Sequence, residues 1–141
     1  MKHTLLGLIT AFSLSALCHA QNAAPPEIIK RGFDAYLKSG AVAAFGEWKI
    51  YADAGSEERR SKALAMFQQI ETANGKLTGW EVIRVITISE SVRRVYVTAK
   101  FEQRPLFLSF DCYKTKDWEI YMFGANTNVT ELLPATILGG Q

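Results

Sequence analysis

The chain has 141 residues, with 16 basic and 14 acidic side chains, a formal charge of +2, two histidines and two cysteines. That near balance excludes a strong electrostatic draw to nucleic acid or to an anionic membrane surface. His3, His19 and Cys18 all fall in the first twenty residues, so the rest of the chain has no imidazole for general-base or metal work and no possible intramolecular disulfide.

Residues 1–20 read as a secretory signal: Lys2 gives the positive start, Leu5 to Leu17 the apolar stretch, and Cys18-His19-Ala20 the small-x-small site before Gln21. The stretch is shorter than the roughly 20 residues of a bilayer span, and Thr10, Ser13 and Ser15 interrupt it. Cleavage after Ala20 and a periplasmic or secreted location are therefore expected, with no membrane span left in the mature protein. An acylated Cys18 is disfavoured by the large Leu17 before it. Cleavage removes Lys2 and no acid, so 16 basic residues become 15 against 14 acidic ones. What remains, about 120 residues, is the size of one domain with its own core.

Residues 21–26 form a linker ending in Pro25-Pro26, and the second proline suits a helix start. Ile29, Phe33, Tyr36 and Leu37 recur at helical spacing until Ser39-Gly40. A second helix carries Val42, Phe45 and Trp48 and gives way to a polar loop at Asp53-Ala54-Gly55. A third runs from Glu57 to Ala73, with Ala63, Phe67 and Ile70 on one stripe and Asn74-Gly75 as its end. From Gly79 the period becomes 2, which predicts strands over 80–89, 92–103, 105–114 and 118–126. Asn128 with Glu131 reads as a capping box for a last short helix ending at Pro134, and 135–141 as a flexible tail. The pattern predicts an α+β domain over 27–134, three N-terminal helices packed on a curved four-stranded antiparallel meander.

A turn at Gln103-Arg104 would set Phe101 opposite Leu106, Val97 opposite Phe110 and Val95 opposite Cys112, a wholly apolar face continued through Trp118, Ile120 and Met122. Cys112 is then a buried thiol. The opposite face would carry Arg94, Tyr96 and Lys100 beside Phe107, Asp111 and Tyr113, then Glu119, Tyr121 and Phe123. Asp111 between Tyr96 and Tyr121 could polarise a carbonyl, but tyrosines around an acid also suit a subunit interface, and that reading is preferred. The expected interface is Tyr96, Phe107, Asp111, Tyr113, Tyr121 and Phe123, in a homodimer. In the first strand, a two-residue turn at Glu90-Ser91 turns Arg84 inward, where it could clamp an anionic ligand or pair with a helix carboxylate; a three-residue turn puts Glu81 inward instead.

Asn74 to Glu81, Lys100-Phe101-Glu102 before Pro105, Phe110 to Tyr113 and Trp118-Glu119-Ile120 together resemble the nuclear transport factor two-like superfamily, in particular its small exported bacterial members. That cone-shaped fold is shared with ketosteroid isomerase and scytalone dehydratase. The resemblance covers about residues 27–133 and implies a pocket between sheet and helices lined by Phe33, Tyr36, Phe45, Trp48, Val97, Phe110 and Met122, with Arg84 added by the register argument. Tyr36 is a loose positional match for the isomerase's hydrogen-bond donor, without an evident acid partner. The expected function is a non-catalytic periplasmic domain that binds a small apolar or anionic ligand or serves as an accessory protein. The alternatives are a homodimeric protein-interaction module and an isomerase, dehydratase or cyclase. No metal and no cofactor is expected.

Overall fold

A computed structural model describes residues 23–139. The expected leader, its cleavage site and the last two residues of the expected tail lie outside the described residues. The architecture is α+β: α1 (Glu27–Ser39), α2 (Ala41–Trp48) and α3 (Glu57–Asn74) precede a meander of β1 (Leu77–Thr87), β2 (Val92–Phe101), β3 (Pro105–Lys114) and β4 (Trp118–Asn126), followed by α4 (Val129–Leu132) and α5 (Ala135–Leu138). The sheet order is β1-β2-β3-β4, all neighbours antiparallel. No helix among the described residues is long and apolar enough to cross a membrane.

Pro26 caps α1 with its carbonyl, which accepts from Ile29 N at 3.0 Å. Gly40 stops the helix at φ 84°, a conformation that glycine adopts without steric cost, and α2 follows directly. The close pairing of α1 and α2 depends on Gly32. The Trp48 indole lies so near that any side chain on Gly32 would overlap its Nε1, and Nε1 donates to Ile29 O at 3.2 Å. Around it, Phe33 stacks on Trp80 with centroids 4.7 Å apart and meets Trp48 edge-on at 5.0 Å.

The inner faces of β2 and β3 supply Val95, Val97, Ala99, Leu106, Leu108, Phe110 and Cys112 to this core, as their alternation predicts. Burial pushes the Cys112 thiol up to about 12. The pairing is displaced by two residues from expectation: Val95 faces Phe110, Val97 faces Leu108, and Lys100 faces Pro105. The reason lies outside the hairpin. Glu102 N donates to Lys76 O (3.1 Å) and Gln103 N to Asn74 O (2.9 Å), so the chain beyond Phe101 bonds to the α3–β1 connection instead of continuing the ladder. An even displacement leaves every side chain on its expected face.

The outer strands behave differently because each carries a bulge. In β1 the register shifts between Val82 and Arg84; Trp80, Val82 and Val85 lie opposite inward residues, while Glu81 and Arg84 lie opposite Thr98 and Tyr96 on the other face. Arg84 is thus exposed and does not point inward, and neither single-register alternative holds. In β4 the extra residue is Tyr121: Cys112 pairs with Ile120, but Asp111 pairs with Met122 and Phe110 with Phe123. Phe123 therefore turns inward, 5.5 Å from Phe110 and 6.1 Å from Phe67 by ring centroids, and Met122 turns out.

The outer sheet face is partly covered by the chain itself. Asn128 caps α4 as expected, accepting from Thr130 N at 3.1 Å, and α4 lies against β3 and β4 with Leu132 over Gly124 beside Ser109. Leu133 is buried, and so is Tyr96, whose register neighbour is Ser109. A short helix, α5, occupies the start of the expected tail.

Candidate functional site

The side chains expected to line a cone cavity form a filled core. Phe33, Phe45, Trp48, Val97 and Phe110 are fully buried and Tyr36 nearly so, with the rings in mutual contact. Arg84 and Met122 lie on the other face, for the reason of the bulges. Tyr36 does have an acid partner: its hydroxyl donates to Glu71 Oε1 at 2.8 Å, a bond between α1 and α3. Burial and that carboxylate push the phenol well above its ordinary range, so it stays protonated. The pair ties one helix to another, and the protonated phenol cannot act as base.

The expected interface set is also divided. Asp111 is buried between Arg94 and Met122, not between two tyrosines, and Arg94 grips both its oxygens, Nε at 2.5 Å and Nη2 at 2.6 Å. The bidentate contact engages both carboxylate oxygens and holds the guanidinium charged. Phe123 belongs to the core, Tyr96 is buried, and Phe107 is half-buried. Tyr113 (47% exposed) at the end of β3 and Tyr121 (58%) and Met122 (58%) on β4 remain open to solvent.

Those three residues border a cleft that the sequence pattern does not announce. Of the eighteen residues of α3, Phe67 alone is fully buried, because the helix stands off the sheet beside β4. A depression of about 260 Å³ opens there, lined by Lys49, Tyr51, Asp53, Arg59, Tyr113 and the stretch from Glu119 to Phe123. Through Tyr51, Arg59 and Phe123 it adjoins one of about 350 Å³ over Lys62, Ala63, Met66 and Ala125. Met66 in turn borders a third, of about 460 Å³, reaching Ile70, Arg104 and Thr127. The first is lined mainly by polar and charged side chains, and the second mainly by apolar ones, Ala63, Met66, Phe123 and Ala125.

The α2–α3 connection shapes the first depression by unusual means. Lys49 and Tyr51 both adopt φ 54°, a left-handed conformation that costs non-glycine residues about 1 kcal/mol or more and clusters at functional segments. Arg59 sits 5.4 Å from the centre of the Tyr51 ring and donates to buried Ser56 Oγ at 2.9 Å, which fixes its guanidinium at the cleft rim. A polar loop was legible in the sequence. Its left-handed residues were not, since neither is glycine or asparagine.

Among the described residues, no group of three or more His, Cys, Asp or Glu side chains could hold a metal ion. No protein-family model, curated protein or solved structure matches the chain.

Proposed function

We propose that this protein is an exported, non-catalytic interaction module that engages another polypeptide along the β4 margin. The order of three helices followed by a four-stranded meander supports the resemblance to the nuclear transport factor two-like superfamily. The observation that carries the interaction reading is the contrast between an interior filled by its own aromatic rings and the exposed Tyr113, Tyr121 and Met122 beside it. Aromatic and methionine side chains grouped on neighbouring strands beside a sheet edge are the composition of contact surfaces rather than of surfaces that meet only water.

A photo-crosslinking amino acid placed at Tyr121 should give discrete adducts in cells, whereas one at Val42, 61% exposed on α2, should not. Met122→Lys should abolish the Tyr121 adducts without changing the circular dichroism. Equal labelling at both positions, or none at either, would overturn the proposal. The second reading is a small apolar ligand, favoured by the floor of Ala63, Met66, Phe123 and Ala125. Saturable fluorescence enhancement of a neutral apolar dye, lost in Met66→Glu, would select it.

A further inference from the structure

If the β4 margin is a contact surface, its unpaired backbone sets the kind of partner it can take, and the inference rests on that interaction reading. β4 is an edge strand of nine residues, paired to β3 on one side alone. Among the described residues, no backbone hydrogen bond joins β4 to any element other than β3. An edge of this length presents a row of unpaired N–H and C=O groups about 30 Å long. Two of the adjoining depressions are lined by β4 itself, through Glu119 to Phe123 and through Phe123 and Ala125, so the unpaired edge runs along a groove instead of facing open water.

The opposite edge has no such arrangement. β1 is broken by two register shifts, and its Glu81 pairs with Lys100 at 2.7 Å, devices that discourage strand addition. β4 has a single bulge, one charged residue (Glu119) and no proline.

We propose that the β4 groove takes an extended peptide as a fifth strand, with apolar side chains directed to its floor and acidic side chains to its rim. The floor side chains, Ala63, Met66, Phe123 and Ala125, call for apolar residues at alternate positions. The charged lining supplies the second half of the specificity: Lys49, Arg59 and Lys62 against Asp53 and Glu119. Lys62 is also held at 2.7 Å by Glu58, an exposed pair that yields readily to a better-placed acid. A second copy of this chain fits less well. Two-fold pairing of β4 with itself would bring the basic rims of both copies toward one another, and β4 offers only Glu119 in return.

The probe is a nine-residue peptide of alternating valine and glutamate, matched in length to β4, titrated into the full mature protein by fluorescence anisotropy. Three comparisons read the proposal: a lysine-for-glutamate counterpart, an isomer N-methylated at every valine, and an isomer N-methylated at every glutamate. In a strand, the N–H groups of alternate residues point to the same edge, so one methylated isomer loses the groups that face β4 while the other keeps them. The acidic peptide should bind saturably, the lysine counterpart at least about tenfold more weakly, and one methylated isomer alone should weaken by at least about tenfold. Arg59→Ala should weaken the acidic peptide but not the lysine peptide, whose repulsion it relieves.

Absence of saturable binding, equal binding of both methylated isomers, or no preference between glutamate and lysine would each overturn strand addition. A wild-type dimer that the peptide cannot dissociate, yet that N-terminally tagged monomers exchange through β4, would assign the edge to a second copy and likewise overturn it. If these fail while crosslinks at Tyr121 persist, the interaction reading stands and only the fifth strand falls.

Discussion

The two helical covers of the sheet do the same job with very different completeness. The α1–α2 pair buries Ile28, Ile29, Gly32, Phe33 and Tyr36 from one helix and Ala41, Ala44, Phe45 and Trp48 from the other, whereas α3, longer than either, fully buries Phe67 alone. Connection length and side-chain size account for the difference. Only Gly40 separates α1 from α2, and Gly32 lets the Trp48 ring close on the α1 backbone. The third helix arrives after a loop from Lys49 to Ser56, presents small or flexible residues (Ala63, Met66) beside Phe67, and is tethered to α1 by Tyr36–Glu71. A sheet closed tightly at one side and loosely at the other keeps a stable core while leaving a cleft, and the cleft falls where β4 is unpaired.

The contrast predicts unequal responses to truncation. Phe33→Ala empties a fully enclosed site between Trp80, Trp48 and Phe110 and should cost about 4 kcal/mol. Ile70→Ala removes a half-buried side chain from the cleft wall and should cost about 1 kcal/mol, since the site is already in contact with water. Urea denaturation measures both. Similar losses would mean that α3 is as tightly packed as α1 and that the cleft closes in solution.

Next in size is Gly32→Ala. A methyl group there would overlap the Trp48 indole, which cannot retreat because Phe33, Phe45 and Phe110 surround it. Overpacking of this kind should cost about 3 kcal/mol and shift Trp48 fluorescence. Loss of the tryptophan shift together with unchanged stability would show that the two helices can part without harm.

The fold was largely legible in the sequence, and the reason differs by element. Helix stops at Gly40 and Gly75 were readable because both positions take positive φ, and the faces of β2 and β3 were readable because unbroken alternation fixes them even when the register moves by two. The faces of Arg84, Met122 and Phe123 were not. A bulge inserts one residue and reverses the alternation beyond it, and nothing in the runs of β1 or β4 marks where that happens; the gain is that Val85 and Phe123 reach the core. The Asp111 partner was hidden by the same displacement, since Arg94 lies opposite it only in the observed register. The cleft depends on the stand-off of α3 and on left-handed Lys49 and Tyr51, which are properties of tertiary packing rather than of local pattern.

The smallest predicted effect tests the tether between the two covers. Tyr36→Phe keeps the buried ring, which meets Phe67 at 5.8 Å, and removes the hydroxyl that donates to Glu71. Glu71 is half-buried and can recover water, so the loss at neutral pH should be only about 1 kcal/mol. The location of the loss is more telling than its size: amide exchange in α3 should quicken while that in α1 and α2 changes little, because the removed bond is what ties the looser helix down. The pH dependence supplies an independent sign. Burial and Glu71 raise the phenol above its ordinary value of 10.0, so the folded state keeps a proton that the unfolded chain releases. The stabilisation from Tyr36 is therefore complete below pH 10 and declines as the pH rises beyond it. Wild type should be the more stable protein at neutral pH, and its advantage over Tyr36→Phe should shrink and then reverse at strongly alkaline pH. Parallel stability curves for the two proteins, or exchange that quickens equally in all three helices, would show that α3 is held by its packing and that the hydrogen bond contributes nothing to closing it.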